Sequence, residues 1–272
     1  MIRTSDLTKR FGGLTAVDGV EFELGENELC SLIGPNGAGK TTFFNLLTGT
    51  LAPTAGSVEF REDGGWTDVT DDDPHETALR GVHRSYQISN LFPTATTLEN
   101  VRVAAQAHGG VDSWKLWRNA DAFERYEREA RAILDRVGLA DEADTPAEAL
   151  SHGQKRHLEV AIALAGDPDV LLLDEPTAGV SSDAIDRLVE LIRSVAEDHA
   201  VLLVEHNMDV VMDVSDRVAV LHQGELIADG PPNAVREDSA VQEAYLGGYE
   251  ADATGDTSTD TSGDADPGGE AA

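Results

Sequence analysis

Residues 34–42 read Gly-Pro-Asn-Gly-Ala-Gly-Lys-Thr-Thr and combine residue types suited to phosphate chemistry. Phosphate oxygens need backbone N–H donors at close range, and the three glycines leave that approach open. Lys40 offers a positive charge to terminal phosphates, and Thr41 offers a hydroxyl ligand to Mg²⁺. The spacing fits G-x-x-x-x-G-K-[ST] and predicts a nucleotide phosphate site made of Gly34, Pro35, Asn36, Gly37, Ala38, Gly39, Lys40, Thr41 and Thr42.

The segments beside this phosphate loop support the same interpretation. Residues 29–33 form an apolar run typical of a buried strand, and residues 42–47 have the pattern of a helix start. A helix N-terminus adds its dipole to the attraction for anions. The alternative, a flexible glycine loop with an incidental lysine, does not require this strand–loop–helix order.

Two carboxylates follow a second apolar strand, 170–173. In a phosphate-loop protein, the first of them, Asp174, is placed to hold Mg²⁺. The second, Glu175, is placed to orient an attacking water or accept its proton. Two solvated charges would give the same letters, but the phosphate loop upstream favours a functional pair.

Two more polar residues end predicted strands. Residues 200–204 lead to Glu205 and His206, and residues 82–86 lead to Gln87. Ligands in open α/β sheets gather at the carboxyl ends of strands, so His206 is placed to donate to a γ-phosphate. Gln87 is placed to reach a metal or its water, although a solvated loop residue would look the same.

Two further positions are consistent with nucleotide contact. Phe11, predicted on a loop, can stack on a base or belong to the core. Ser151 and Gly153 stand just ahead of a helix predicted over 155–165, an arrangement that binds anions but also describes an ordinary capping serine.

The remaining pattern indicates an α/β protein with a separate helical region. Charged and apolar residues over 112–137 predict amphipathic helix, with Thr97 capping an earlier one. The other elements expected are strands at 2–10 and 20–24 of antiparallel type, a loop over 62–73, a hairpin at 217–222 and 225–229, and a terminal helix at 233–246.

Composition narrows the possible partners. Fifty-one acidic residues face 20 basic ones, only four of them lysines, giving a net charge of −31 over 272 residues. Nucleic acid is excluded as an expected partner, because phosphate backbones require a basic face. Such a surface suits a cytoplasm of molar salt, and we hypothesise a halophilic source, with an acidic mesophile protein as the alternative.

Composition also predicts the redox compartment of the protein and the character of its C-terminal residues. Cys30 is the single cysteine, so no disulfide forms within the chain, which favours a reducing compartment. The sequence has no signal-peptide pattern and no apolar run of membrane-spanning length. Residues 250–272 hold seven acids and no Lys or Arg, and we predict a disordered acidic tail.

Taken together, these motifs resemble the ATP-binding subunit of ABC transporters across residues 2–249. The resemblance implies a P-loop NTPase core of mixed and parallel sheet, an antiparallel β subdomain, and an inserted α-helical subdomain at about 97–165. It implies that ATP is bound and hydrolysed with Mg²⁺. By resemblance, Phe11 would stack on the base, Lys40 and Thr41 would contact phosphates and metal, and Asp174 would bind the metal. Glu175 and His206 would be catalytic, and Gln87 would sense the metal and the transmembrane partner. The signature-like residues would contact the opposite subunit's ATP; they are Ser151, Gly153 and Gln154.

The same resemblance implies partners and a place in the cell. A second ATP-binding subunit, identical or homologous, would complete the site, and transmembrane permease subunits would hold the pair at the cytoplasmic face of the membrane. An extracellular solute-binding protein would act indirectly.

Two departures from the family pattern stand out. His152 replaces a glycine of the signature motif, and Ala178-Gly179-Val180-Ser181 replaces the usual Ser-Ala-Leu-Asp. Both resemble the branched-chain amino acid uptake subgroup, as do residues 11–14, the helical insert at 109–131 and residues 245–247. Importers of urea or amides, a non-transport ATPase of the same fold and a nucleotide-binding regulator without turnover remain alternatives.

Overall fold

The computed structural model describes residues 1–62, 64–85, 91–108 and 120–245, with the side chains of 108, 120–123 and 183 excepted. The predictions for Gln87, for residues 109–119 and for the acidic tail lie outside these ranges. Within them, no helix has both the length and the apolar character that crossing a bilayer requires.

The centre of the fold is a six-stranded sheet whose parallel strands bring their carboxyl ends to one edge. Its order is β10-β9-β3-β8-β7-β6, and all neighbours run parallel except β10. The strands are β3 (Leu29–Ile33), β6 (Val82–Ser85), β7 (Val170–Asp174), β8 (Ala200–Val204), β9 (Arg217–His222) and β10 (Glu225–Gly230).

Every residue of β3, β7 and β8 is buried, because both faces of this sheet are covered. Alternate residues face different cores. Leu171, Leu173 and Leu203 pack against helices, whereas Cys30, Leu172 and Leu202 pack toward the second sheet. Burial raises the pKa of the Cys30 thiol to about 12, so this thiol stays protonated at neutral pH.

The second sheet is antiparallel, in the order β2-β1-β4-β5. Its strands are β1 (Ile2–Phe11), β2 (Leu14–Leu24), β4 (Ala55–Glu62) and β5 (Gly65–Asp68). Between the two sheets lies α1 (Lys40–Leu47), whose buried Phe43 and Phe44 join the inner faces of both. The helix that starts at the phosphate loop is therefore enclosed by apolar contacts.

Two sequence predictions for this sheet were wrong. Phe11 ends β1 and pairs with Leu14, so the segment predicted as a loop from 11 to 17 is mostly strand. Register shifts around Asp6, which has φ of 48°, interrupt the alternation that would have marked the longer strands. The loop predicted over 62–73 contains β5, a short edge strand whose Trp66 lies 4.3 Å from the Arg3 guanidinium.

Helices cover the other face of the parallel sheet. They are α2 (Pro74–Leu79), α3 (Thr97–His108), α4 (Ala120–Arg136), α5 (His152–Leu164), α6 (Ser182–Ala196), α7 (Met208–Val214) and α8 (Pro232–Glu237), with short 3-10 turns at Ala140–Glu142 and Ala147–Ala149. Helical residues thus dominate the described part of 97–165, and their separation as a subdomain stays a prediction. The predicted terminal helix is divided into α8 and a helical stretch at 239–245.

The start of α3 corrects one capping prediction. The Glu99 N–H donates to Thr96 Oγ1 at 3.1 Å, and Glu99 Oε2 accepts from the Thr96 N–H at 2.8 Å. Thr96 therefore caps the helix in a reciprocal capping box. Thr97, which was predicted as the cap, instead donates its hydroxyl to the Thr145 carbonyl.

Candidate active site

Two glycines of the phosphate loop occupy positions where a larger residue would collide with backbone. A Cβ atom on Gly34 would lie 2.1 Å from the Leu221 carbonyl oxygen, and one on Gly39 would lie 2.2 Å from that of Ala16. Both have positive φ, 153° and 107°, which L side chains rarely adopt. The loop is therefore held closely against β9 on one side and β2 on the other.

The β9–β10 hairpin supports the phosphate loop from behind. The Gly224 N–H donates to the Ala38 carbonyl, and the Asp18 N–H donates to the Gly224 carbonyl, both at 2.9 Å. One backbone turn thus joins the loop to the antiparallel sheet. Since these bonds use the rear of the loop, the front and the N-terminal end of α1 are left to face the cleft.

Lys40 is buried at the bottom of the loop, with 7% of its surface exposed. Its Nζ donates to the Gly34 carbonyl at 2.6 Å and to the Pro35 carbonyl at 3.1 Å. Burial lowers the pKa of the Lys40 ammonium, and the negative charges of Glu175 and Asp174 oppose that change. The lysine is therefore electrostatically coupled to both carboxylates that the sequence singled out.

Asp174 ends β7, and its side chain is almost fully buried. Its Oδ2 accepts a hydrogen bond from Arg84 Nη2 at 2.5 Å, and Arg84 Nη1 donates to Asn45 Oδ1 at 2.6 Å. Sequence analysis did not single out Arg84. The signal available was its position three residues before Gln87, at the end of a strand that neighbours β7.

Glu175 and His206 come together at the neighbouring strand ends. His206 Nε2 lies 2.7 Å from Glu175 Oε1, a hydrogen bond between the two side chains. Glu175 has φ of 48°, a left-handed conformation that is strained for a glutamate, and its N–H donates to the Val204 carbonyl at 2.8 Å. This turn directs the carboxylate toward the cleft.

The cleft itself has a volume of about 320 Å³. It is lined by Phe11, Leu14, Ala16, Asn36, Gly37, Ala38, Gly39, Lys40, Thr41, Thr42, Glu175, Val204 and His206. Phe11 and Leu14 stand at its rim with 47% and 66% of their surfaces exposed. This exposure argues against a core role for Phe11, and stacking on a flat heterocycle stays the prediction.

The signature-like residues lie elsewhere. Ser151 caps α5 in a capping box, in which Gln154 N–H donates to Ser151 Oγ and Gln154 Oε1 accepts from the Ser151 N–H. Gln154 Nε2 also donates to Glu142 at 3.0 Å, so both ends of this amide are used within the chain. These residues line a separate cleft between α5 and α6 and do not contribute to the phosphate-loop cleft.

The donor set fits a magnesium–nucleotide complex. Mg²⁺ is commonly held by one or two protein oxygens together with substrate phosphates and water. Thr41 lines the cleft and offers a hydroxyl, whereas the Asp174 carboxylate lies outside the cleft lining and has its Oδ2 bonded to Arg84. The described residues contain no cluster of three or more His, Cys, Asp or Glu that could form a metal cage by themselves. The cleft therefore suits a metal that arrives with phosphate.

Comparison with known proteins places these features in a family context. Residues 17–178 match the ABC transporter family, and residues 225–251 match the family described as branched-chain amino acid ATP-binding cassette transporter. The chain is 41% identical to the high-affinity branched-chain amino acid transport ATP-binding protein BraF of Pseudomonas aeruginosa, over 91% of this chain and 98% of that protein.

Two solved structures are similar in fold. The ADP conformation of MJ1267, an ATP-binding cassette of an ABC transporter, superposes with a TM-score of 0.79 at 30% identity, covering 91% of this chain and 98% of that one. The dimeric structure of MJ0796, a bacterial ABC transporter cassette, gives 0.70 at 27% identity, covering 85% and 99%.

Proposed function

This chain belongs to the ABC transporter family, and from that premise we propose that it is the ATP-hydrolysing subunit of an importer for branched-chain amino acids. Its relative BraF is named for that transport, and residues 225–251 match the corresponding family. The observation that carries the hydrolytic part is the 2.7 Å contact between His206 and Glu175 beside the phosphate loop. A regulator without turnover would not need this pair.

In the proposed reaction, each side chain of the cleft has a separate role. The loop N–H groups and Lys40 bind the β- and γ-phosphates of ATP. Thr41 and Asp174 would hold Mg²⁺, whose charge would offset that of the same phosphates. Glu175 orients a water against the γ-phosphorus and accepts its proton as the bond to ADP breaks, and His206 fixes the γ-phosphate. Phe11 stacks on adenine.

Two copies of this subunit, or one copy and a homologue, complete the site. Ser151 and Gly153 lie away from their own phosphate loop, as a contribution to a partner's ATP requires. Gln154 holds Ser151 through the capping box, and its contact with the partner's nucleotide stays a prediction. The dimeric state of a similar cassette supports this arrangement.

A groove of about 350 Å³ between α2, α3 and α5 is the proposed contact with the permease. Its apolar lining includes Ala78, Leu79, Leu91, Ala104 and Ile162, and it borders Ser85 at the end of β6, close in sequence to Gln87. Leu79 has 53% of its surface exposed. A short amphipathic helix of a permease subunit fits this kind of surface, and it would hold the chain at the membrane.

The docking proposal predicts that Leu79→Glu abolishes co-purification with permease subunits while ATP binding persists. A charge in an apolar groove carries a desolvation cost that the permease contact cannot offset. Val103→Glu is the matched control, because Val103 is an exposed apolar residue of α3 outside the groove lining. Equal recovery of permease with both variants would contradict the assignment of the groove.

The hydrolytic proposal predicts that Glu175→Gln binds Mg·ATP with unchanged affinity, loses turnover by about 10²-fold or more, and accumulates as an ATP-bound dimer. The amide keeps the shape of the side chain but cannot accept the proton of the water. Phosphate release and size-exclusion chromatography with ATP are the measurements. Turnover like that of the unmodified chain would contradict the role of Glu175.

A further inference from the structure

Glu205 is a buried carboxylate for which the reaction described above has no role. It follows β8, immediately before His206, and only 3% of its surface is exposed. Its two carboxyl oxygens accept four hydrogen bonds from other described residues. Thr177 donates its N–H at 2.8 Å and its hydroxyl at 2.7 Å to Oε1, and His206 and Asn207 donate their N–H groups to Oε2 at 3.1 and 3.4 Å.

The donors come from two different loops. Thr177 lies two residues after Glu175, on the turn that leaves β7, while His206 and Asn207 lie on the loop that leaves β8. Glu205 therefore ties together the two segments that carry the candidate catalytic pair. These four hydrogen bonds meet at one buried carboxyl group and join the two loops in addition to the backbone bond from the Glu175 N–H to the Val204 carbonyl.

The catalytic side chains themselves are less constrained. The His206 side chain is 47% exposed and that of Glu175 is 29% exposed. Besides their 2.7 Å hydrogen bond to each other, the placement of these two side chains depends on the backbones of the two loops. A misplacement of about 1 Å at a reacting centre can cost on the order of 10²-fold in rate.

We propose that Glu205 is a positioning residue for ATP hydrolysis, which fixes His206 against Glu175 by holding the two loops at one buried carboxylate. This inference rests on the proposed ATPase function. It assigns no contact with nucleotide to Glu205, so ATP binding should not depend on it.

Glu205→Gln is the first test. The amide oxygen can replace only one of the two carboxylate oxygens as an acceptor. The NH₂ group takes the place of the other oxygen and faces N–H donors, so the hydrogen bonds to one of the two loops are lost. We expect turnover to fall about tenfold or more, with ATP affinity changed less than about twofold. Turnover would be followed by phosphate release from the full-length chain, and affinity by binding of a fluorescent ATP analogue.

Thr177 offers a milder pair of variants and a matched control. Thr177→Val removes one hydroxyl bond to Glu205 and should lower turnover about fivefold, whereas Thr177→Ser keeps the hydroxyl and should restore it. Thr4→Val is the control, because Thr4 is also a buried threonine whose hydroxyl bonds at 2.9 Å, but to Val20 in the antiparallel sheet. It should leave turnover unchanged even if it lowers the melting temperature.

A double variant separates positioning from general stability. If Glu205 acts through His206, then adding Glu205→Gln to His206→Ala should lower turnover by less than about twofold beyond the single His206→Ala change. Independent, multiplicative losses would overturn the proposal, and so would equal turnover of Glu205→Gln and the unmodified chain. If the unmodified chain hydrolysed ATP no faster than Glu175→Gln, the proposed function itself would be contradicted.

Discussion

At the scale of the residue, the phosphate-loop cleft combines charge and strain. Lys40 is buried and donates to two loop carbonyls, so in this conformation the carbonyl oxygens of Gly34 and Pro35 are the acceptors that phosphate oxygens would otherwise supply to its ammonium. Glu175 is held in a left-handed backbone conformation by the turn after β7. The buried ammonium and the strained backbone both lower the stability of the fold, and a role in nucleotide binding and hydrolysis would explain why they are present.

Lys40→Ala should weaken binding of Mg·ATP by about tenfold or more, because the buried charge facing the phosphates is lost. Isothermal titration would measure the affinity. Arg131→Ala is a suitable control, since Arg131 is an exposed cation of α4 that pairs with Glu127 and does not line the cleft. Unchanged ATP affinity in Lys40→Ala would contradict the phosphate role.

At the scale of the element, Arg84 joins three segments around the proposed metal ligand. Arg84 on β6 bonds to Asp174 on β7 and to Asn45 on α1, and its guanidinium lies 5.5 Å from the Phe44 ring. With 11% and 3% of their side chains exposed, Arg84 and Asp174 form a buried ion pair. The pair connects the strand before Gln87 to the helix that follows the phosphate loop.

Arg84→Met should therefore destabilise the chain by about 3 kcal/mol, because it leaves the Asp174 carboxylate buried without its partner. The rate at which a thiol reagent labels buried Cys30 would report opening of the core. Arg193→Met is the control, since the Arg193–Asp213 pair is 47% and 61% exposed and should contribute less than about 1 kcal/mol. Equal labelling rates in the two variants would contradict the structural role of Arg84.

How much the sequence could predict differs between elements. The β3–loop–α1 unit and the carboxylates after β7 were predictable, because apolar strands with polar ends leave a clear local pattern. The hydrogen bonds around Glu205 were not, since the residues concerned are 28 positions apart and only the pairing of β7 with β8 brings them together. Register shifts likewise concealed the full length of β2, whereas β1 was predicted to within one residue.

At the scale of the whole molecule, negative charge exceeds positive charge by 31. Apart from the His206–Glu175 contact, every ion pair between described residues uses an arginine, whose fork can bind two oxygens at once. With 20 basic residues for 51 acidic ones, ion pairing cannot neutralise the acidic charge. Their mutual repulsion acts on both the fold and any dimer.

We expect ATPase activity and ATP-driven dimerisation to rise as KCl increases toward molar concentration. The Debye length falls from about 10 Å at 0.1 M to about 3 Å at 1 M, so repulsion between two closing acidic surfaces is screened. On dilution of salt, the dimer should dissociate before the monomer unfolds. Activity, dimer fraction and far-UV circular dichroism in one salt series would test this, and maximal activity near 0.1 M KCl would contradict the halophilic hypothesis.

The hairpin behind the phosphate loop also has a consequence during translation. All nine residues of the loop are made by position 42, but the carbonyl of Leu221 and the turn at Gly224 that enclose it come some 180 residues later. At about 5–20 residues per second, the ribosome needs on the order of 10 to 40 s to supply them. We therefore expect ATP to stabilise the phosphate loop fully only after the last strands emerge, and the antiparallel sheet, complete by residue 68, to be the first part that can form.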